Sequence, residues 1–353
     1  MLEHASFRSN PDMSVKIEPS DKNPDQLVWA TIIIINYNAG SFLQKAIDSV
    51  AAQTERSFEL IILDNASTDG SMDNLQTAHI PNVQIVRLDK NVGFAQGNNE
   101  AAALARGEWL ALLNPDAEAA EDWLAEFRSA TCAYPDTVLF AGTTINMKNT
   151  DLLDGAGDYY FFLGIPWRGG YTRPREELPP ISECFSACAA AALVKKESFL
   201  EIGGFDERYF CYCEDVDLAF RLRLRGHRCV FWPTASALHY GSGTTSVGSS
   251  FSVRLGMRNR VWMFIKDMPP LAFWTLFPIH LLANLLIILR GVMTGRANAS
   301  YEGFREALVG LGPVWRDRKT VQRSRRVSSF TALKAMSWNW FLVRNKKTDT
   351  RRL

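Results

Sequence analysis

Neither a G-x-G-x-x-G nor a G-x-x-x-x-G-K-[ST] loop occurs where the first strands pass into helices, so a dinucleotide fingerprint and a P-loop are both excluded. A nucleotide bound there would have to be held by side chains and a metal. The six cysteines (Cys132, Cys184, Cys188, Cys211, Cys213 and Cys229) show no metal-type spacing. Cys211-Tyr-Cys213 is too close for easy bridging, and the set reads as buried free thiols of a reducing compartment. Residues 1–27 lack the apolar core of a signal peptide; they are polar and acidic, carry Pro11, Pro19 and Pro24, and read as a mobile tail. There is no internal repeat and no array of apolar spans. Acids are scarce from Arg290 onward, where 15 Lys/Arg face 4 Asp/Glu (net +11), against 24 and 34 in the remainder (net −10). An acidic body with a basic tail points to an anionic surface. The aromatic–basic interleaving of a nucleic-acid module is missing, which leaves a membrane as that surface and no nucleic acid as partner.

What is present is ample core material: 353 residues, 47% hydrophobic and 22% charged, enough for one large domain or two ordinary ones. The β-branched run Ile32–Ile35 fits a strand buried on both faces. Phe42, Leu43, Ala46, Ile47 and Val50 then recur at helical spacing behind Ser41 as N-cap. FELIILDNAS reads as a second strand, STDGSMDNLQ as the start of a helix, and VQIVRLD as a third strand. GFAQGNNEAAALARG reads as a helix closed by Gly107 at C′, and EWLALLNPD as a fourth strand. This alternation predicts a parallel, doubly wound α/β sheet with ligands at the carboxyl ends of its strands. Those ends read Asn36-Tyr37-Asn38, Asp64-Asn65, Asp89-Lys90-Asn91 and Asn114-Pro115-Asp116. VLFAGTTINM continues as a strand. Residues 148–182, rich in Gly, Pro and aromatics, read as a long mobile loop over a site. KESFLEIGGF is a short helix with a glycine stop, and RCVFWP a further strand. PPLAFWTLFPIHLLANLLIILRG has the length to span a bilayer but contains Pro278, His280 and Asn284. Spanning, lying in the interface and packing as a core helix all remain open, with the interfacial reading preferred because a basic tail follows.

Several constellations carry chemistry. Asp116, ending the fourth strand in Asn-Pro-Asp, suits a divalent cation that bridges phosphates, or equally a turn and N-cap. Asp64 suits a base N–H or a ribose hydroxyl, or equally a turn. His239 closes an apolar strand; a lone histidine is usually structural, yet a neutral imidazole can face a metal, and the Gly/Ser/Thr run behind it could wrap a diphosphate. Glu214, Asp215 and Asp217 crowd one helix start after GGFDERYFCY. Capping and an Asp217–Arg221 pair account for one or two of them. An acid packed against that aromatic wall gains a raised pKa suited to a general base.

TIIIINYN, LIILDNASTDGS, NVGFAQGNNEAA, WLALLNPDA, GGFDERYFCYCEDVDLAFRLRLRGH and LHYGSGTTS stand in the order of the family-2 glycosyltransferases. Over residues 28–247 the chain resembles that family, and most its rhamnosyltransferase-type members of cell-surface polysaccharide assembly. The resemblance implies the GT-A nucleotide-diphospho-sugar transferase fold, with a mostly parallel central sheet and a C-terminal apolar and basic helical tail. It implies a catalytic domain over 28–266, split into a nucleotide-sugar half (28–147) and an acceptor half (148–266), with a membrane-associated tail over 267–353. Asn36, Asn38 and Asp64 would hold the nucleoside, and Asn91, Gly93 and Asn98 would lie along the cleft. Asp116 and His239 would bind Mg²⁺ or Mn²⁺, with Asn114 in place of the first acid of the family's DXD motif. Asp215 would be the base, with Glu214 its alternative, in a single inverting displacement.

The expected donor is a nucleotide-diphospho-sugar, dTDP-rhamnose first and UDP-sugars next. The expected acceptor is a glycan or lipid-linked glycan, met at the cytoplasmic face of an anionic membrane by a peripheral protein. Two rivals remain. A nucleotidyltransferase would carry a glycine-rich basic loop after the first strand, where NYNAGSFLQK has one Gly and one Lys. A membrane-associated sugar-nucleotide scaffold without turnover has no need of the acids. The absence of Q-x-x-R-W argues against a processive synthase.

Overall fold

The computed structural model describes residues 15–17, 27–80, 82–241 and 248–353. Within the N-terminal stretch read as a mobile tail, β1 (Val15–Ile17) is a strand; the rest of that stretch, up to residue 26, lies outside the described residues. Next come β2 (Ala30–Asn36), α1 (Phe42–Ala51), β3 (Phe58–Asp64), β4 (Val83–Leu88), α2 (Gly93–Leu104) and β5 (Trp109–Leu113). Strands β4, β3, β2 and β5 pair in parallel, while β1 adds to β4 antiparallel. Successive residues of β2 feed opposite cores, Ile33 and Ile35 on one face and Ile32 and Ile34 on the other. That two-sided burial is why the strand reads as an unbroken apolar run.

Two expectations for this half fail for local reasons. No helix forms in residues 67–76, because Gly70 and Asn74 take left-handed φ values of 79° and 55° and Asp69 ties the loop to Gly40 and Ser71. Gly107 is not the C′ residue of α2, which ends at Leu104 with an extended Ala105. A Cβ on Gly107 would lie 2.4 Å from the Thr31 nitrogen, so the glycine serves close approach to β2.

The second half shares the same sheet. It contains β6 (Ala117–Ala119), α3 (Trp123–Ala133), β7 (Leu139–Asn146), β8 (Leu153–Ala156), β9 (Asp158–Phe161), β10 (Ile165–Arg168) and β11 (Ser182–Cys184). Then follow β12 (Ala191–Lys195), α4 (Lys196–Glu201), α5 (Glu214–Leu224) and β13 (Cys229–His239). The main sheet runs β1-β4-β3-β2-β5-β12-β7-β13-β11, with β6 on β13 and β8 on β7; β9 and β10 form a separate hairpin. The segment 148–182 is therefore no single long loop: it contributes β8, the β9–β10 hairpin and the first residue of β11. Its Leu163-Gly164 turn closes the hairpin, with Gly164 at φ 82°, where an added Cβ would lie 2.7 Å from His280 Nδ1.

The remaining chain is helical: α6 (Ser250–Asp267), α7 (Pro270–Met293), α8 (Ala297–Val309), α9 (Leu311–Arg323), α10 (Ser329–Ala335) and α11 (Trp340–Arg344). Helix α7 is not a core helix. Ala272, Phe273, Leu276, His280, Asn284 and Gly291 face inward, while Leu271, Trp274, Leu282, Leu285, Leu286 and Leu289 are exposed. Its polar residues thus face the protein and its leucines face out, the reverse of a soluble surface helix. The tail also folds back on the second half. Ser337 bonds Tyr160 and Phe162, the Lys346 carbonyl accepts from Gly170, and Glu183 pairs with Arg351.

Candidate active site

Strand ends and the start of α5 surround a cleft of about 740 Å³, within the usual range of small-molecule sites. Its wall includes Asn91, Gly93, Asn114, Asp116, Glu214, Asp215 and His239, so seven of the eleven sequence-derived site residues meet here. Asn36, Asn38, Asp64 and Asn98 are not on this wall. The side chain of Asn36 is fully buried, its Nδ2 donating to Asp64 Oδ1 (3.1 Å), Ser67 Oγ and Ser71 Oγ (both 2.9 Å). Asn38 Oδ1 accepts from Thr68 N at 2.8 Å. These contacts bind the loop after β3 to the end of β2. Asn98 is buried, with Nδ2 donating to the Phe94 carbonyl at 2.9 Å. Its neighbour in role is Asn65, which the sequence reading passed over. Asn65 lines the cleft and fixes the start of α2, donating to Gly93 O (3.0 Å) and accepting from Val92 N (2.9 Å).

At the other end, β13 delivers His239 beside Asp116, which follows β5. His239 Nε2 lies 3.3 Å from Asp116 Oδ1 and 3.4 Å from Asn114 Nδ2. His239 Nδ1 bonds Asp154 Oδ2 at 2.7 Å. Asp154 stands on β8, and its Oδ2 also accepts from Arg168 Nη1 at 2.7 Å and Thr144 Oγ1 at 3.2 Å. Burial alone would raise the Asp154 carboxyl, but Arg168 and His239 hold it well below the usual carboxylate range. Burial disfavours the His239 imidazolium, yet bonds to Asp116 and Asp154 outweigh it and lift the ring to about 9. The residues fit a divalent cation. Asp154 fixes the Nδ1 side of the ring and turns Nε2 toward Asp116, the carboxylate–histidine arrangement that orients metal-binding imidazoles. Were Asp116 and His239 to hold such a cation, its other positions would be open to phosphate oxygens. The glycine run behind His239 lies, from residue 242 to 247, outside the described residues.

The three acids at the start of α5 divide their roles. Asp217 is wholly buried and accepts from Tyr209 OH (2.9 Å), Arg221 Nε (2.8 Å) and Lys266 Nζ (2.6 Å). Glu214 is 5% exposed with Oε2 unpaired, and burial, followed by the charge of Asp215, pushes its carboxyl well up. Asp215 is half-buried and faces the cleft, Oδ1 accepting from Val216 N at 2.8 Å and Oδ2 from Ala189 N at 3.2 Å. Burial raises its carboxyl, against the pull of those N–H groups. The loop before it is strained: Phe210, Tyr212 and Cys213 have φ values of 65°, 69° and 66°. Asn259 of α6 holds it there, Nδ2 reaching the carbonyls of Tyr209 (3.0 Å), Cys211 (2.9 Å) and Tyr212 (2.8 Å).

Asp154, Asp158, Arg168 and Cys188 also line the cleft, and the sequence reading assigned them nothing. Three of them lie in the segment read as a loop. Aromatic-rich runs, DYYF and IPWR, on either side of a short glycine-containing Phe162–Gly164 link were the hairpin signal that would have placed Asp158 and Arg168 opposite each other, as they are. The thiols are less uniform than expected: Cys132 is exposed, and Cys211 and Cys213 are half-buried.

The model of the glycosyl transferase family 2 matches residues 31–203. The N-acetylglucosaminyl-diphospho-decaprenol L-rhamnosyltransferase of Mycobacterium tuberculosis is 28% identical over 240 residues, covering 61% of this chain and 76% of that one. A PGL/p-HBAD biosynthesis glycosyltransferase of Mycobacterium bovis is 32% identical over 240 residues, 65% of this chain and 85% of its own. Among solved structures, the mannosyltransferase PcManGT from Pyrobaculum calidifontis, in complex with GDP-Man and Mn²⁺, superposes with a TM-score of 0.52 at 19% identity, covering 90% of each chain; that likeness concerns the fold. With a GT-A sheet, a cleft at its strand ends and these relatives, the chain belongs to glycosyl transferase family 2, on its rhamnosyltransferase-like side, and is a glycosyltransferase.

Proposed function

We propose that this protein moves a sugar, rhamnose from dTDP-rhamnose before any UDP-sugar, onto a hydroxyl of a lipid-linked glycan at the cytoplasmic face of the membrane. The observation that carries the reading is that the Asp116–His239 pair and Asp215 open into one cleft. Asp64, Asn65 and Asn91 form the nucleoside end in this reading, with Asn36 and Asn38 bracing it. Asp116 and His239 would hold Mg²⁺ or Mn²⁺, which when bound neutralises charge on the diphosphate. Asp215 takes the proton of the acceptor hydroxyl as its oxygen attacks the anomeric carbon. The bond from that carbon to the diphosphate oxygen breaks, its electron pair leaves with the nucleoside diphosphate, and the centre inverts. Glu214, in the wall beside it but almost wholly buried, shapes the base's surroundings. The names of the mycobacterial relatives support a polyprenol-linked acceptor, and the exposed leucines of α7 beside a basic tail support a peripheral membrane position.

The test is thermal-shift binding of dTDP-, UDP- and GDP-sugars, with and without Mn²⁺, on the wild type and Asp116→Ala. A metal-dependent shift with one nucleotide, lost in the variant, is expected. Folded protein that shifts with none of them overturns the sugar-nucleotide assignment.

A further inference from the structure

Asp158 opens β9 at the back of the cleft, 6% exposed. One carboxylate oxygen of Asp158, one of Asp215 and the Cys188 sulfur all lie within 4.8 Å of one another. A cation does not suit this trio, because Arg168 Nη2 already points its positive charge at Cys188 Sγ from 3.0 Å. What remains is a buried carboxylate, Asp158, beside a half-buried one, Asp215, in one small space. Two negative charges so close are costly, and such pairs share a proton.

The hydrogen bonds say which member keeps the charge. Each oxygen of Asp215 accepts a backbone N–H, from Val216 at 2.8 Å and from Ala189 at 3.2 Å. Asp158 Oδ1 is buried and has no hydrogen-bond partner. The nearest cationic group to Asp158 is Arg168 Nε, at 4.0 Å, and the Nη1 of that arginine is bound to Asp154 at 2.7 Å. An ionised carboxylate would not leave a buried oxygen unpaired while its neighbour holds the donors.

We propose that Asp158 is the protonated partner of Asp215, so that the pair carries one negative charge, held on Asp215, and Asp158 acts as a positioning residue for the base. This rests on Asp215 being the base, as argued above. The charged and titratable groups around Asp158 are Asp154 of β8, Arg168 of β10, Tyr159 beside it, Cys188, and Cys213, Glu214 and Asp215 at the start of α5. Only Arg168 among them is a cation. Burial, then the charge of Asp215, pushes the Asp158 carboxyl up to about 8. The folded state therefore holds a proton that the unfolded chain has released. This carboxyl weakens folding progressively as pH rises from its ordinary value toward 8, and constantly above that.

An infrared pH titration of the full chain, with no ligand added, tests the assignment. The wild type should show a protonated-carboxyl stretch that titrates near pH 8. Asp158→Asn should lack it, and Asp215→Asn should keep it with a lower midpoint, because the neighbouring charge is gone. A band lost in Asp215→Asn but kept in Asp158→Asn puts the proton on the wrong residue and overturns the proposal. So does the absence of any band near pH 8 that depends on Asp158. If Asp158→Asn fails to fold, the downward move of the midpoint from wild type to Asp215→Asn decides. Once the donor and acceptor are in hand, the pH profile of transfer gives a second reading. Asp158→Asn should keep the acid limb set by Asp215 and lose the inflection near pH 8. The infrared result needs no substrate, so it stands or falls apart from the nucleotide panel.

Discussion

Asp154 accepts from His239, Arg168 and Thr144 on a single oxygen, which makes it the residue that aims the imidazole. Asp154→Asn removes the charge while keeping the shape. The Mn²⁺-dependent nucleotide shift should weaken by about 10–100-fold in apparent affinity, the usual effect of losing such an outer partner. An unchanged metal response would remove Asp154 from the site. Gly93 is a second residue with a single tolerated identity. Its φ is 87°, and a Cβ would sit 2.6 Å from the Phe210 ring and 2.7 Å from the Phe210 carbonyl. Gly93→Ala should cost about 1–2 kcal/mol from backbone strain alone, with the clash added, read as a lower urea midpoint at constant m-value.

At the scale of elements, α6 is the brace of the site. Asn259 pins the strained turn before α5, and Asn259→Leu leaves three carbonyls without their donor. We expect a loss of about 1–3 kcal/mol and faster amide exchange across residues 209–213; protection equal to wild type would refute the brace. Lys266 of the same helix is 2% exposed and contacts Asp206 and Asp217, both at 2.6 Å. Burial opposes it, but Lys266 holds both carboxyls below their ordinary range. Depressed carboxylates stabilise the fold above the unfolded value and lose that contribution as pH falls through the folded one. Lys266→Met should therefore cost about 3–5 kcal/mol at neutral pH and flatten the acid side of the stability curve below about pH 4. Chemical denaturation at pH 3 to 7 measures both.

At the scale of the whole molecule, the helical tail is structural as well as superficial. His280 of α7 bonds the Leu163 carbonyl at 2.8 Å and stacks on Phe264 at 3.8 Å, so α7 grips the turn of the hairpin whose far end carries Asp158 and Arg168. Removing residues 268–353 would strip these contacts and test folding instead of membrane binding. Point changes on the outward face avoid that. Leu282→Glu, Leu285→Glu and Leu286→Glu combined should release the protein from anionic vesicles while leaving its melting temperature unchanged, because all three side chains are more than half exposed. Retained vesicle binding would leave the outward leucines without that role.

The parallel strands were legible in the sequence because each is buried on both faces and therefore written as an apolar run, Ile32–Ile35 most plainly. Asp116, His239 and Asp215 were legible as candidates because they stand at a strand end or helix start, where a polar side chain either caps the element or faces a site, and the cleft shows the second. Cleft membership of Asp154, Asp158, Arg168 and Cys188 was not legible. Each comes from a short antiparallel piece or turn, and although β8 and β9–β10 pair locally, nothing local shows that they fold against the start of α5 or which oxygen faces which donor. The three acids of α5 make the same point. Sequence alone put them together at a helix start, and burial alone separated them, Asp217 into a salt-bridge core, Glu214 into the wall with its side chain almost wholly buried, and Asp215 facing the cleft. Local pattern determines which elements form, since it is a property of neighbouring residues. Which side chains share a cleft depends on contacts across the sheet, and only the tertiary structure decides them.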